Sequence, residues 1–461
     1  MADKERVDVT KLDELSRRDL IKRAGAGVIL VYGGLGERSV AFGAPKYRHK
    51  ELAGTLRILQ WSHFVPAFDT WFDNTYTKAW GRANDTEVIV DHINQADLPG
   101  RVAAEAAAGR GHDMVATLAP LPQYEDRVIN HREIVQTVQK KRGKMADVAY
   151  RSCYNPKTKK YFGFPDNYAP DPVNWRRDYW AEAGFSQGPT TWDVVRRAAP
   201  RLRAIGHPIG IGMSNEIDSN MALMAMMMCY GSFIQNRQHR VTLNTRNTVN
   251  VLRFARELFR SGMSDEIFAW TAASNNQAFL AGRLSMALNA ISITRSAELQ
   301  NRDLAQRTSI KPIPSGPNGR LGLEHVMHTY MIWNFAQNKR MAVKFLADME
   351  IKYVGAFENS RFYNFPSFPR SVGNIPARLA RDPNTPRGKY RVLNEISRKY
   401  TKNVGYPGFA NAAIGEIFDT FLIPQMFAEV ARGRRTPEDA ARVYHARFGQ
   451  IFRKWRQRGK I

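Results

Sequence analysis

The chain has 461 residues, with 68 Lys and Arg against 43 Asp and Glu, a formal charge of +25, 43% apolar residues and two cysteines. That length suits two or three lobes with substantial cores, and the apolar fraction excludes disorder throughout. Two cysteines exclude a disulfide scaffold, an iron–sulfur protein and an all-cysteine zinc site, and no apolar run reaches the roughly 18–20 residues that cross a bilayer.

At the N-terminus, Ser16-Arg17-Arg18-Asp19-Leu20-Ile21-Lys22 precedes the glycine-rich, weakly apolar run Ala24–Gly36. Ala41-Phe42-Gly43 then offers a small-x-small exit. A charged stretch, a short apolar stretch and small residues in that order describe a secretory signal. The paired arginines resemble the twin-arginine translocation motif of exported bacterial proteins. Residues 1–43 are therefore expected to be a signal peptide, and the mature protein to act in the periplasm or another extracytoplasmic space. These residues hold 8 basic and 7 acidic side chains, so the mature surface stays strongly basic. Such a surface suits nucleic acid, an anionic ligand or a membrane surface. No zinc-finger spacing or RNA-recognition signature is present, and the basic residues spread along the chain with one denser tail at Arg453–Lys460. No nucleic-acid partner is expected.

Further along, strand-like and helix-like segments alternate. Thr55–Trp61 reads as a buried strand and Phe68–Trp80 as a helix, followed by strand Glu87–Ile93, alanine-rich helix Leu98–Ala108 ended by Gly109, and strand Asp113–Leu118. This order predicts a parallel α/β sheet. A second region opens after the proline-punctuated segment Phe164–Pro172. Thr191 is placed to cap a helix, and Val249–Phe259 has a clean apolar face. Leu284–Ile291 and Thr308–Pro314 are strand-like. Thr436-Pro437-Glu438-Asp439 starts a final helix, with a cap, a proline at the first position and acids in the first turn.

Several motifs in order resemble the family 1 extracellular solute-binding proteins of ABC importers, the group that contains maltose-binding protein. Leu59-Gln60-Trp61 ends a strand like that family's first. The stretch from Glu87 through Ala96-Asp97 to His112-Asp113-Met114-Val115 resembles its strand, contact loop, helix and next strand. Phe162-Gly163-Phe164-Pro165-Asp166 is similar to its Tyr-Gly-x-Pro-x segment before the hinge, and Pro189-Thr190-Thr191-Trp192 to its Pro-x-Thr-Trp. Tyr230-Gly231-Ser232-Phe233, Ala278-Phe279-Leu280-Ala281-Gly282-Arg283-Leu284-Ser285-Met286 and Pro312-Ile313-Pro314-Ser315-Gly316-Pro317 resemble later motifs. The resemblance covers nearly all of residues 52–455, although Arg176 stands where asparagine is usual and Glu324-His325 where glycines are common.

The resemblance implies an α/β, two-lobed periplasmic-binding-protein fold with discontinuous lobes, hinge strands and a central cleft. The first lobe is expected from 52–171 plus 289–332 and the second from 172–288 plus 333–461. It implies capture rather than chemistry. A monomer without a cofactor would close on a sugar or sugar derivative, acidic ones included, and deliver it to a membrane permease. Sugars need aromatic ring faces and planar polar side chains. The candidate ligand contacts are accordingly Trp61, His63, Asp97, Asp166, Asn167, Tyr168, Trp270, Asn289, Ser292, Arg361, Tyr363 and Asn364, all at expected strand ends or loops. A cleft arginine such as Arg361 would pair with a carboxylate or phosphate.

Other signals are weaker. His325 and His328 would share a face if helical and could then begin a metal site. The methionine-rich run Met221–Met228 suits a buried helix, and Cys153 and Cys229 are expected to be free, buried thiols. The alternatives are an exported carbohydrate hydrolase, for which no paired carboxylates or Gly-x-Ser-x-Gly elbow can be picked out, and a binder of a non-sugar organic anion.

Overall fold

The computed structural model describes residues 54–383 and 386–461. The expected signal peptide, residues 1–43, lies outside the described residues. Among the described residues, no helix is long and apolar enough to cross a membrane.

Two sheets organise the chain. The first contains β1 (Gly54–Trp61), β2 (Thr86–Ile93), β3 (Met114–Thr117) and β4 (Phe164–Pro170). The second contains β5 (Val173–Arg176), β6 (Ile209–Gly210), β7 (Met286–Leu288) and β8 (Thr308–Lys311), in the order β8-β5-β7-β6. The chain then returns to the first sheet with β9 (Gly322–Ile332), β10 (Phe365–Pro366) and β11 (Thr401–Lys402). The first sheet runs β10-β4-β9-β3-β1-β2, with β11 beside β9. β1 pairs in parallel with β2 and β3, as the alternation predicted, but β9 runs antiparallel to β3 and β4. The sheet is mixed rather than parallel.

Local chemistry fixes the helix ends. Helix α1 (Leu98–Ala108) stops at Gly109, whose φ of 62° a side chain would resist. Helix α2 (Trp192–Ala204) begins where the Thr191 hydroxyl accepts from the Val194 N–H at 3.0 Å. Helix α3 (Ile217–Cys229) carries the methionine run and is buried almost throughout. Helix α4 (Arg246–Gly262) follows, then α5 (Ser274–Leu280) and α6 (Lys339–Ile351). The C-terminal α7 (Pro437–Gln457) is capped by Thr436 and buries Ala440, Tyr444, Phe448, Phe452 and Trp455, while Val443 and Ile451 are partly covered.

Each sheet anchors its own hydrophobic core. One core draws on residues 56–169 and 326–396, the other on residues 173–288 and 404–455. The segment 336–396 therefore packs with the first sheet, whereas the sequence places it with the second lobe. Phe345 of α6 explains why: its ring meets Phe72, Tyr76 and Trp80 edge-on at 6.0, 5.4 and 4.9 Å. Cys153 is buried in one core and Cys229 in the other, and neither is bridged.

Strand β4 leads through Asp171-Pro172 directly into β5, so one extended segment passes from the first sheet to the second. A neighbouring segment passes back after β7. The two touch where the Asn289 N–H donates to the Pro172 carbonyl at 3.4 Å and the Asn174 amide donates to the Asn289 carbonyl at 2.8 Å.

Candidate ligand-binding site

Two polar clusters form where these crossing segments join the cores. The first is built from the C-terminal end of β1 and from the loop before β10. Trp61 ends β1 and stacks on His63 with ring centroids 5.0 Å apart. The His63 ring meets Tyr363 edge-on at 5.1 Å, and its Nε2 lies 2.9 Å from the Asn364 Oδ1. Burial pushes the His63 imidazole down to about 4, so it is neutral at physiological pH and its Nε2–H donates to Asn364. Beneath this group, Asp166 of β4 accepts three hydrogen bonds. His328 Nδ1 reaches Oδ1 at 2.6 Å, while the Tyr353 hydroxyl and the Asn167 amide reach Oδ2 at 3.0 and 2.8 Å.

The second cluster centres on Asn289. Its amide nitrogen lies 2.9 Å from Asp218 Oδ2, 3.1 Å from Asn275 Oδ1 and 2.6 Å from Asn276 Oδ1. The Asn275 amide donates to the same Asp218 oxygen at 2.6 Å, and the Asn276 amide reaches the Ser292 hydroxyl at 3.3 Å. Asp218 and Asn275 sit in the first turns of α3 and α5, so two helix starts supply the polar groups. His325 of β9 lies between two carboxylates, with Nε2 3.3 Å from Asp218 and Nδ1 3.5 Å from Asp171. Burial alone would lower this imidazole, but Asp218 and Asp171 together outweigh it and push it up to about 10. His325 is thus an imidazolium held between carboxylates.

The clusters adjoin across β9 and Tyr363. Burial raises the Tyr363 phenol well above its usual value, and the charges on Asp218 and Asp171 add to the effect. Three groups here are buried and find no hydrogen-bond partner among the described residues, namely the Trp61 indole N–H, the Tyr363 hydroxyl and the Asn289 side-chain oxygen, while the Asp171 carboxylate has only the His325 imidazolium at 3.5 Å. Leaving one such group unpaired costs about 1–3 kcal/mol. Together, two donors and one acceptor stay open to a polar guest beside the Asp171 carboxylate.

The structure thus brings together Trp61, His63, Asp166, Asn167, Tyr363 and Asn364 in one cluster, and Asn289 with Ser292 in the other. The remaining expected contacts lie elsewhere. Tyr168 is buried beside Phe365 in the first core. Trp270 packs in the second core, with its carbonyl accepting from the Ser214 hydroxyl at 2.7 Å. Asp97 is exposed at the start of α1 and its side chain makes no capping bond. Arg361 lines a surface cavity with Glu358, Arg378 and Arg381, and only its carbonyl meets a buried group, the Arg295 guanidinium.

Asp171, Asp218, Asn276 and Tyr353 escaped the sequence reading. His325 and His328 drew notice as a metal pair sharing a helix face. They sit on a strand instead, where residues three apart point to opposite faces, and one serves each cluster. Among the described residues, no group of three or more His, Cys, Asp or Glu could hold a metal ion.

Known proteins agree with this architecture. An ABC transporter solute-binding protein from Thermotoga lettingae, solved with alpha-D-tagatose, superposes with a TM-score of 0.72 at 16% identity, covering 87% of this chain and 100% of that one. MalE3 of T. maritima, solved with maltose, gives a TM-score of 0.72 at 14% identity, covering 87% and 100%. These likenesses show the two-lobed periplasmic-binding-protein fold. A binding protein of Brucella abortus (strain 2308) is 22% identical over 190 residues, which are 41% of this chain and 46% of that relative, so the chain matches less than half the relative's length. The family model for bacterial extracellular solute-binding proteins matches residues 74–349. Since that match spans more than half of the chain, this protein belongs to the bacterial extracellular solute-binding proteins, which bind their solutes and are not enzymes.

Proposed function

We propose that the chain is the substrate-binding component of an ABC importer that captures a neutral sugar or polyol and delivers it to a membrane permease from the periplasm, after export by the twin-arginine route. Residues 54–170 with 326–396 would form one lobe and 173–288 with 404–461 the other, hinged at the two crossing segments. A guest that bridges both clusters would favour the closed arrangement by its differential affinity.

The observation that carries this reading is the set of three buried, unpaired groups, Trp61, Tyr363 and Asn289, beside the Asp171 carboxylate at the junction of the two cores. Sugar hydroxyls both donate and accept, so one polyhydroxylated guest can satisfy the Trp61 and Tyr363 donors and the Asn289 and Asp171 acceptors together. The clusters contain Asp166, Asp171 and Asp218 and no arginine, which favours a neutral guest over an acidic one. The tagatose and maltose of the two structural neighbours are neutral sugars of suitable chemistry.

A thermal-shift screen tests this with neutral mono- and disaccharides, polyols, uronic acids and organic anions. A guest at one hundred times its Kd stabilises the folded state by about 2.7 kcal/mol. Saturable stabilisation by a neutral sugar or polyol is expected. Stabilisation by organic anions alone would overturn the reading.

A further inference from the structure

The second core carries a basic cavity that has no part in the cluster chemistry. It measures about 420 Å³ and is lined by Gln238, Arg240, Val241, His445, Gly449, Arg453 and Arg456. Its walls are two rigid pieces of structure. One is the tight hairpin around 234–242, in which the Asn236 side chain accepts from the Gln238 and Arg240 N–H groups at 3.0 and 2.9 Å, and Gln235 and Val241 pair as a bridge. The other is α7, where residues 445, 449, 453 and 456 follow helical spacing along one face.

The charge is one-sided. No lining residue is a carboxylate, and Arg240, Arg453 and Arg456 form no ion pair among the described residues. Arg456 is oriented by its bond to the His239 carbonyl at 2.6 Å, which leaves its other N–H groups free to donate. Burial and the nearby Arg456 charge hold the His239 imidazole below its usual value. The His445 Nδ1 accepts from the Asn244 N–H at 3.2 Å, so a neutral ring carries its proton on Nε2 and adds another donor. Gly449 sits between His445 and Arg453 on the cavity face and supplies no side chain. A Cβ there would make only an ordinary contact, 3.5 Å from Arg453 Nη1, so a larger side chain at this position would extend into the cavity.

We propose that this cavity is a binding site for a phosphate group. Three guanidiniums around one opening offer the paired donors that phosphate oxygens take, and no acid competes. The group could belong to a free phosphate compound or to an anionic lipid headgroup. The site is separate from the proposed sugar site and stands or falls independently of it.

The test is isothermal titration of the full chain with inorganic phosphate in chloride buffer. Saturable binding is expected, weakened about tenfold or more by Arg453→Glu and by Gly449→Leu. The second variant fills the floor while keeping every charge, and it replaces a helical glycine with a better helix former, so folding is preserved. Arg302→Glu removes the same charge from an exposed site elsewhere and is expected to leave binding unchanged. Wild-type binding in Gly449→Leu, or equal losses in Arg302→Glu and Arg453→Glu, would overturn the site in favour of general surface charge. Sedimentation with phosphatidylglycerol and phosphatidylcholine vesicles separates the two sources. Capture by phosphatidylglycerol that inorganic phosphate displaces and Gly449→Leu abolishes assigns the site to lipid headgroups. Phosphate binding without capture assigns it to a free phosphate compound.

Discussion

Replacing Tyr363 with phenylalanine separates a binding role from a packing role. The ring is buried, edge-on to His63 at 5.1 Å and 6.2 Å from Phe64, and phenylalanine keeps all of that contact. Only the hydroxyl is lost, and it has no hydrogen-bond partner among the described residues. A hydroxyl that only packs contributes nothing to affinity, so titration rather than its lack of a partner decides its role. One that awaits a guest costs the free protein up to about 1–3 kcal/mol while unpaired. Tyr363→Phe is therefore expected to leave the free protein as stable as before, or more stable by about 1 kcal/mol. Affinity should fall by about one neutral hydrogen bond, near 1–1.5 kcal/mol or roughly tenfold. Urea unfolding without ligand measures the first quantity, and isothermal titration with whichever sugar the thermal screen identifies measures the second. Lost stability together with unchanged affinity would refute the assignment of Tyr363 to the binding surface.

Three further outcomes follow from the same geometry. Stability should fall between pH 6.5 and 10: the His325 imidazole, raised to about 10, contributes stability that is complete below its unfolded value and disappears as pH climbs through 10, and Glu216, raised to about 8 by burial, acts in the same direction up to that pH. His63 and His131, both lowered to about 4 by burial, act in the opposite sense, since the unfolded chain takes up their protons first as pH falls from 6.5 towards 4. Urea midpoints across pH 5–10 check this, and His325→Gln should flatten the alkaline limb while costing about 3–5 kcal/mol from the uncompensated carboxylates; an unchanged alkaline limb would contradict the ion triad. Phe345→Ala should cost about 3–5 kcal/mol, as expected of a core aromatic; a small loss in chemical unfolding would mean that α6 does not belong to the first core. Trp61→Phe keeps an aromatic ring at that position and removes the unpaired indole N–H; affinity should drop several-fold, while the smaller ring in a fully buried place costs the free protein about 1–2 kcal/mol, as titration and urea unfolding would register.

Much of the fold was legible because it is written in local chemistry. The apolar residues Leu56, Ile58 and Leu59, the capping threonines at 191 and 436 and the left-handed Gly109 each act within a few residues of themselves. What a helix packs against is a different matter. The pattern of α6 announces an apolar face but not its partner, so sequence groups it with 333–461 while Phe345 packs on Phe72, Tyr76 and Trp80 in the first core. The candidate site divides in the same way. Trp61, His63 and Asn364 follow from the rule that polar and aromatic groups at strand ends face a cleft. Asp218 had no such marker, because it lies in the first turn of a helix whose methionines dominate the pattern. The spacing of His325 and His328 would put them on one face only of a helix, and on strand β9 they face opposite ways. An acid that pairs with a histidine 107 positions away, as Asp218 does, leaves no local trace.

The charge of +25 also invites a misreading that the structure removes. Surface cations beyond about 8 Å are largely screened at physiological ionic strength, whereas buried pairs are not. The field felt by a guest between the clusters is set by Asp166, Asp171, Asp218 and the His325 imidazolium, all of them buried. A strongly basic exterior and an arginine-free, carboxylate-lined interior can therefore serve different molecules. The exterior has its own candidate receptacle in the Arg240, Arg453 and Arg456 cavity. Overall charge then describes what the surface attracts, and the unpaired buried donors and acceptors describe what the interior holds. If one anion were found to occupy both places, this separation would fail, because the interior would have to accept a negative charge beside three carboxylates that the single His325 imidazolium only partly offsets.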